Sequence, residues 1–137
     1  MKLNDLKIDA KRRHEGGWVP LGDFDGRIKV RGARNFDWLK VAEAETRRIA
    51  KRDDVRGTLD PKQQREVLIE CILQAGLLDW DGELFTDDDG KAIAYSTAKA
   101  AEIYKDPSFE VLVDLTLAAC EGMAYASAER DEDAEKN

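Results

Sequence analysis

Asp60-Pro61-Lys62-Gln63-Gln64-Arg65-Glu66-Val67-Leu68-Ile69-Glu70-Cys71-Ile72-Leu73-Gln74-Ala75-Gly76-Leu77-Leu78 is the stretch on which the fold turns. Asp60 offers an N-cap acceptor, and Pro61 suits the first helical position because its missing N–H would have no intrahelical partner there. The segment begins polar and then becomes apolar nearly all round, with Glu70 and Gln74 as its only later polar interruptions. A helix apolar on every side is either central to a core or covered by a partner. The pattern predicts a helix from Pro61 to about Leu78. Leu68, Ile72, Leu73 and Leu77 are its candidates for a helix-binding or self-association surface, with plain core the first expectation for any one of them taken singly.

Upstream, Gly57-Thr58-Leu59 ends a preceding helix that Asn35 can cap and that runs to about Arg56. On it Phe36, Leu39, Ala42, Thr46 and Ile49 are expected to share the inner face, with Lys40, Glu43, Arg47 and Lys51 in water. Before it, Trp18-Val19-Pro20-Leu21 reads as an edge strand, since proline cannot donate to a ladder. Gly22-Asp23-Phe24-Asp25-Gly26 supplies a turn, and Arg27-Ile28-Lys29-Val30-Arg31 alternates strictly between apolar and cationic. These make a β-hairpin, the one convincing piece of β-structure, whose apolar face must cover a helix or pair with another copy. Residues 1–16 read as a mobile basic arm or a short amphipathic element.

Downstream, residues 79–95 form a long polar connection. Ser96 caps a short helix from Thr97 to about Tyr104, and Asp106-Pro107 repeats the cap-plus-proline signal for a last helix to about Ser127. Glu129 to Asn137 holds no large apolar residue and is expected to be disordered. The expected fold is therefore mainly α: a small N-terminal β-hairpin, then about four helices in a compact bundle. Its organisation is a basic arm (1–16), a single domain (17–128) and an acidic tail (129–137).

Composition narrows the function classes. With 137 residues, 42% apolar and 37% charged, the chain has material for one core and is not expected to be disordered throughout. No run approaches a membrane span, and Met1-Lys2-Leu3-Asn4-Asp5 lacks the apolar stretch of a signal peptide, so the expectation is a soluble protein that stays where it is made. The net charge of −7 is unevenly spread. Residues 1–34 hold nine Lys/Arg against five Asp/Glu, whereas residues 79–96 hold six acids against Lys91. A basic head and an acidic far half can attract each other, within one molecule or between copies. Cys71 and Cys120 form no metal-binding spacing with each other or with His14, the single histidine, and are expected to be reduced, buried and inert.

Catalytic and metal chemistry find little support. An EF-hand needs glycine at the sixth position of its loop. Counting from Asp79 or from Asp87 puts the glycine fourth, so both registers fail. No nucleophile elbow or phosphate-cradling glycine pattern occurs, and His14 stands among the cations of the arm. No enzyme, metal or cofactor is expected. Arg27, Lys29 and Arg31, with Arg34, Trp18, Phe36 and Trp38 nearby, make a candidate nucleic-acid surface, which the acidic total opposes.

The succession of motifs resembles a known family. A β-hairpin leads to a helix, and a long apolar helix ends in Leu77-Leu78-Asp79-Trp80-Asp81-Gly82. There follow Thr86-Asp87-Asp88-Asp89-Gly90-Lys91, Ile93, Tyr95, a Ser96 cap, and Asp106-Pro107-Ser108-Phe109 with a closing helix and charged tail. This order resembles the tail assembly chaperones of long-tailed phages over roughly residues 17–128. The resemblance implies a non-enzymatic protein of the bacterial cytoplasm that coats the apolar, helical tape measure protein, helps recruit tail tube subunits and is absent from the mature virion. Members are often made in a second, longer form by ribosomal slippage, and codons for Glu135-Lys136-Asn137 can supply a run of adenines for it. A homo-oligomer is expected from the edge strand and the apolar helix. The alternatives are a structural tail or head–tail connector, or another small interaction module. Nucleic-acid binding through the basic hairpin is a third class.

Overall fold

The structure is a computed structural model that describes residues 1–123 and Tyr125; the expected tail, 129–137, lies outside the described residues. After a 3-10 turn at Leu3–Leu6, the chain forms α1 (Ala10–Glu15), β1 (Gly17–Pro20), β2 (Arg27–Val30), α2 (Phe36–Arg52) and α3 (Pro61–Ala75). Then come β3 (Leu77–Trp80), α4 (Thr97–Tyr104), a 3-10 turn at Pro107–Phe109 and α5 (Glu110–Met123). About half of the chain is helical, around one three-stranded antiparallel sheet ordered β1-β2-β3.

The third strand corrects the expected fold. The apolar helix was expected to reach Leu78, but it ends at Ala75, and Leu77–Trp80 pairs with β2. Ile28 faces Trp80, Lys29 faces Asp79, and a bulge beside Val30 leaves Leu78 exposed between buried Leu77 and half-buried Asp79. Gly76 makes the corner. A Cβ there would lie 2.9 Å from Trp38 Cζ3, so only glycine lets that ring pack over the end of α3. The hairpin alone would leave the second edge of β2 unpaired, and β3 supplies the missing hydrogen bonds.

The caps form where the sequence places them. Asp60 and Gln63 make a reciprocal capping box on α3, and Ser96 accepts from the Lys99 N–H on α4. Buried Asn35 does more than cap α2. Its Oδ1 accepts from the Trp38 N–H at 3.0 Å, while its Nδ2 donates to the carbonyls of Gly32 (2.9 Å) and Ala75 (2.8 Å), joining the start of α2 to the end of α3. The inner face of α2 differs from expectation. Trp38 and Ile49 are the residues buried there, while Phe36, Leu39 and Thr46 are exposed. The physical reason is α3: Trp38 meets Cys71 and Gly76, which rotates Phe36 and Leu39 outward.

Residues 1–16 are drawn into the domain by α1. Asp9 caps it, and the segment after β2 runs directly beneath it. The Gly32 N–H donates to the Arg13 carbonyl at 2.7 Å, and a Cβ on Gly32 would stand 2.7 Å from Arg13 Cα. The Ala33 N–H then donates to the Cys120 carbonyl, so α1, the sheet and α5 meet along three residues. The core gathers Ile28, Val30, Ile72, Leu77, Trp80, Tyr104, Val113, Cys120 and Met123. Buried Thr116 donates to the Leu112 carbonyl, so the Tyr104 hydroxyl is the donor in their 2.8 Å contact.

Candidate functional site: an apolar groove

The acidic connection builds one wall of the site. Asp87 Oδ1 accepts from the N–H groups of Asp89 and Lys91, both at 2.9 Å, and Gly90 turns at φ 80. This Asx turn closes a small hairpin in which the Ile93 N–H donates to the Phe85 carbonyl. Asp87 is thus occupied as a turn former. Trp80, 2% exposed, fastens this hairpin to β3. Its indole N–H donates to the Ile93 carbonyl at 2.7 Å, and its ring meets Phe85 and Tyr95 edge-on at 5.1 and 5.0 Å.

Opposite stand the β1–β2 turn, α4 and α5. Leu21 and Phe24 come from the turn, Ile103 from α4, and Phe109, Val111, Leu112 and Leu115 from the start of the last helical segment. Together with Leu84, Phe85, Thr86 and Ile93 they line an open groove of about 390 Å³. Phe24 is 63% exposed, Phe109 45% and Val111 70%, so large apolar surface faces water here. The residues flanking these side chains carry the opposite character. Asp23 and Asp25 bracket Phe24, Glu83 precedes Leu84, Asp87 follows Thr86 and Glu110 follows Phe109, all exposed.

The residues singled out from the sequence lie elsewhere. Ile72 is fully buried and Leu77 is 3% exposed in β3, so both belong to the core; Leu68 and Leu73 are half-buried against it. The hairpin cations are largely engaged within the fold. Arg27 lies over the Trp18 ring at 5.9 Å. Lys29 stands between Trp18 and Asp79 in the ladder. Arg31 donates to the His14 carbonyl at 2.6 Å and to Asp37 at 2.8 Å, and this bond holds the Asp37 carboxyl below its usual range. The groove escaped sequence reading because its residues come from turns and a helix start, where no period shows. Phe24 between two aspartates and Leu84-Phe85 inside an acidic run were the available signals.

Among the described residues, Thr86 is the one polar side chain lining the groove. Cys71 and Cys120 are buried in the core, and desolvation pushes their thiols up to about 11 and about 12. No group of three or more His, Cys, Asp or Glu side chains converges as a metal site among the described residues, and no described helix is long and apolar enough to cross a membrane.

The family described as YdaY prophage protein matches residues 34–137, well over half of the chain, and the chain belongs to that family. No curated protein and no solved structure matches it.

Proposed function

We propose that this YdaY-family prophage protein is a non-enzymatic tail assembly chaperone that holds an apolar helical segment of the tape measure protein in its groove. One observation carries the reading: the groove presents Phe24, Phe109 and Val111 to water, and exposed carboxylates neighbour its lining residues along the chain. An amphipathic helix lays its apolar face into such a groove, reading as anchors three and four residues apart. The carboxylates keep the uncovered protein soluble and favour a segment whose apolar face is flanked by lysine or arginine. The order of motifs along the chain, similar to that of tail assembly chaperones, supports the same reading. Recruitment of tail tube subunits, action in the bacterial cytoplasm and absence from the mature virion follow from it.

Co-expression with a tape measure fragment tests this. The wild-type chain is expected to keep the fragment soluble. Val111→Asp, at a side chain already in water, should abolish holding while leaving the circular dichroism spectrum and the urea midpoint unchanged. Equal precipitation with and without the wild-type protein overturns the proposal, and so does full holding by Val111→Asp.

A further inference from the structure

The segment that leads into α1 carries apolar side chains that the fold leaves in water. The 3-10 turn at Leu3–Leu6 has three residues per turn, so its two leucines lie along one edge. Leu3 is 83% exposed and Leu6 63%. Apolar side chains three residues apart on one edge are the anchors that a helix-binding groove reads. The chain thus holds, in its own sequence, a short version of what its groove fits. The charges agree in sign. Lys2 and Lys7 bracket the turn, against Asp5 within it, while exposed Asp23, Asp25, Glu83 and Glu110 neighbour groove-lining residues along the chain.

Within one molecule the turn and the groove belong to opposite ends of α5. α1 is tied to the last residue of α5, where the Arg12 Nε–H points to the Met123 carbonyl and an Arg12 guanidinium nitrogen lies 3.2 Å from Met123 Sδ. The groove takes Val111, Leu112 and Leu115 from the beginning of the same helix. The helical rise from Leu112 to Met123 is about 16 Å. The chain from Leu6 to the α1 cap at Asp9 spans at most about 11 Å, which favours a neighbour's groove over the molecule's own. We propose that the Leu3–Leu6 turn of one copy docks in the apolar groove of a second copy. Each copy then offers one turn and one groove, a contact that builds rings or open chains. The docked turn covers Phe24, Phe109 and Val111 until a longer helical segment displaces it; this displacement rests on the holding function proposed above.

A spin label on Asn4→Cys tests this in the full chain, since Asn4 is exposed and Cys71 and Cys120 are buried. Labelled copies are mixed with isotope-enriched, unlabelled ones. Paramagnetic broadening is expected at the amides of Phe24, Phe85 and Val111 in the enriched copy, weakening on dilution. It should vanish when the labelled copy carries Leu3→Asp/Leu6→Asp, a variant whose melting temperature holds because both side chains are already in water. Absence of broadening in the mixture overturns the inference, as does broadening that survives Leu3→Asp/Leu6→Asp. Broadening confined to molecules that carry both label and isotope, diluted into plain protein, assigns the turn to its own groove and likewise overturns it. A tape measure fragment that the protein holds should erase the broadening, and broadening unchanged by a held fragment overturns the shared site. Broadening in a protein that holds no fragment strikes the holding function and leaves the docking standing.

Discussion

Trp80→Phe probes the element on which the groove depends. The substitution deletes the indole N–H and leaves the Ile93 carbonyl without its 2.7 Å donor in a partly buried position. An unsatisfied buried acceptor costs about 1–3 kcal/mol. The smaller ring also leaves a void beside Phe85 and Tyr95, adding about 1 kcal/mol after partial collapse. Because Trp80 faces Ile28 in the ladder, the loss is expected to register in global unfolding, at about 2–4 kcal/mol together. Urea unfolding followed by circular dichroism measures it, with Trp18→Phe, a half-buried residue on the edge strand, as the control expected to lose less than about 1 kcal/mol. The effect on holding should exceed the effect on stability, since the hairpin carrying Phe85 and Ile93 loses its anchor. A loss below about 1 kcal/mol for Trp80→Phe would refute the assignment of the indole as the tie between β3 and the groove wall.

Asn35→Ala removes a helix cap and takes the Nδ2 donor from the Gly32 and Ala75 carbonyls, of which Gly32 keeps the backbone N–H of residue 35, so it is expected to cost about 2 kcal/mol or more in the same unfolding assay, against about 1 kcal/mol for a cap alone. At the end of α2, hydrogen bonds from Arg52 and then Gln63 hold the Asp53 carboxyl down at about 2. Its folded value lies below the ordinary 3.8, so its contribution is present above that value and is lost as pH falls through about 2. Asp53→Asn should therefore melt earlier than wild type near neutral pH, and the two melting curves should converge at about pH 2; a gap of constant size across that range would contradict the ion-pair account.

Local signals made much of the fold legible. Asn35, Asp60-Pro61 and Ser96 cap helices because a side-chain acceptor beside free N–H groups acts over three residues and needs no tertiary knowledge. The alternation of Ile28 and Val30 gave the hairpin for the same reason. What escaped was decided at a distance. Leu77 and Leu78 extend an apolar helix as well as they start a strand, and the choice rests on the free edge of β2, nearly fifty residues earlier in the chain. Phe36 and Leu39 fit the inner face of α2 until Trp38 claims the corner that Gly76 leaves open. The groove was least legible of all, because its short contributions from turns, a loop and helix ends have no common period.

Those outcomes bear on how such a protein could hold a partner. The all-round apolar character of α3 is consumed by the fold: one face meets α2, another the sheet, and Leu77 turns the corner into β3. The apolar surface of the groove comes instead from a turn, a loop and the start of α5. A turn that displays phenylalanine, as Phe24 is displayed, needs residues that both bend the chain and prevent aggregation, and aspartate does both. Asp87 illustrates the economy, since one oxygen closes the Asx turn while the residue remains exposed to water. The acidity of residues 79–96 thus belongs to the same connection that supplies Leu84, Phe85 and Ile93 to the groove wall. In this reading the acidic connection and the sticky groove are one device, and neither would be tolerable on the surface without the other.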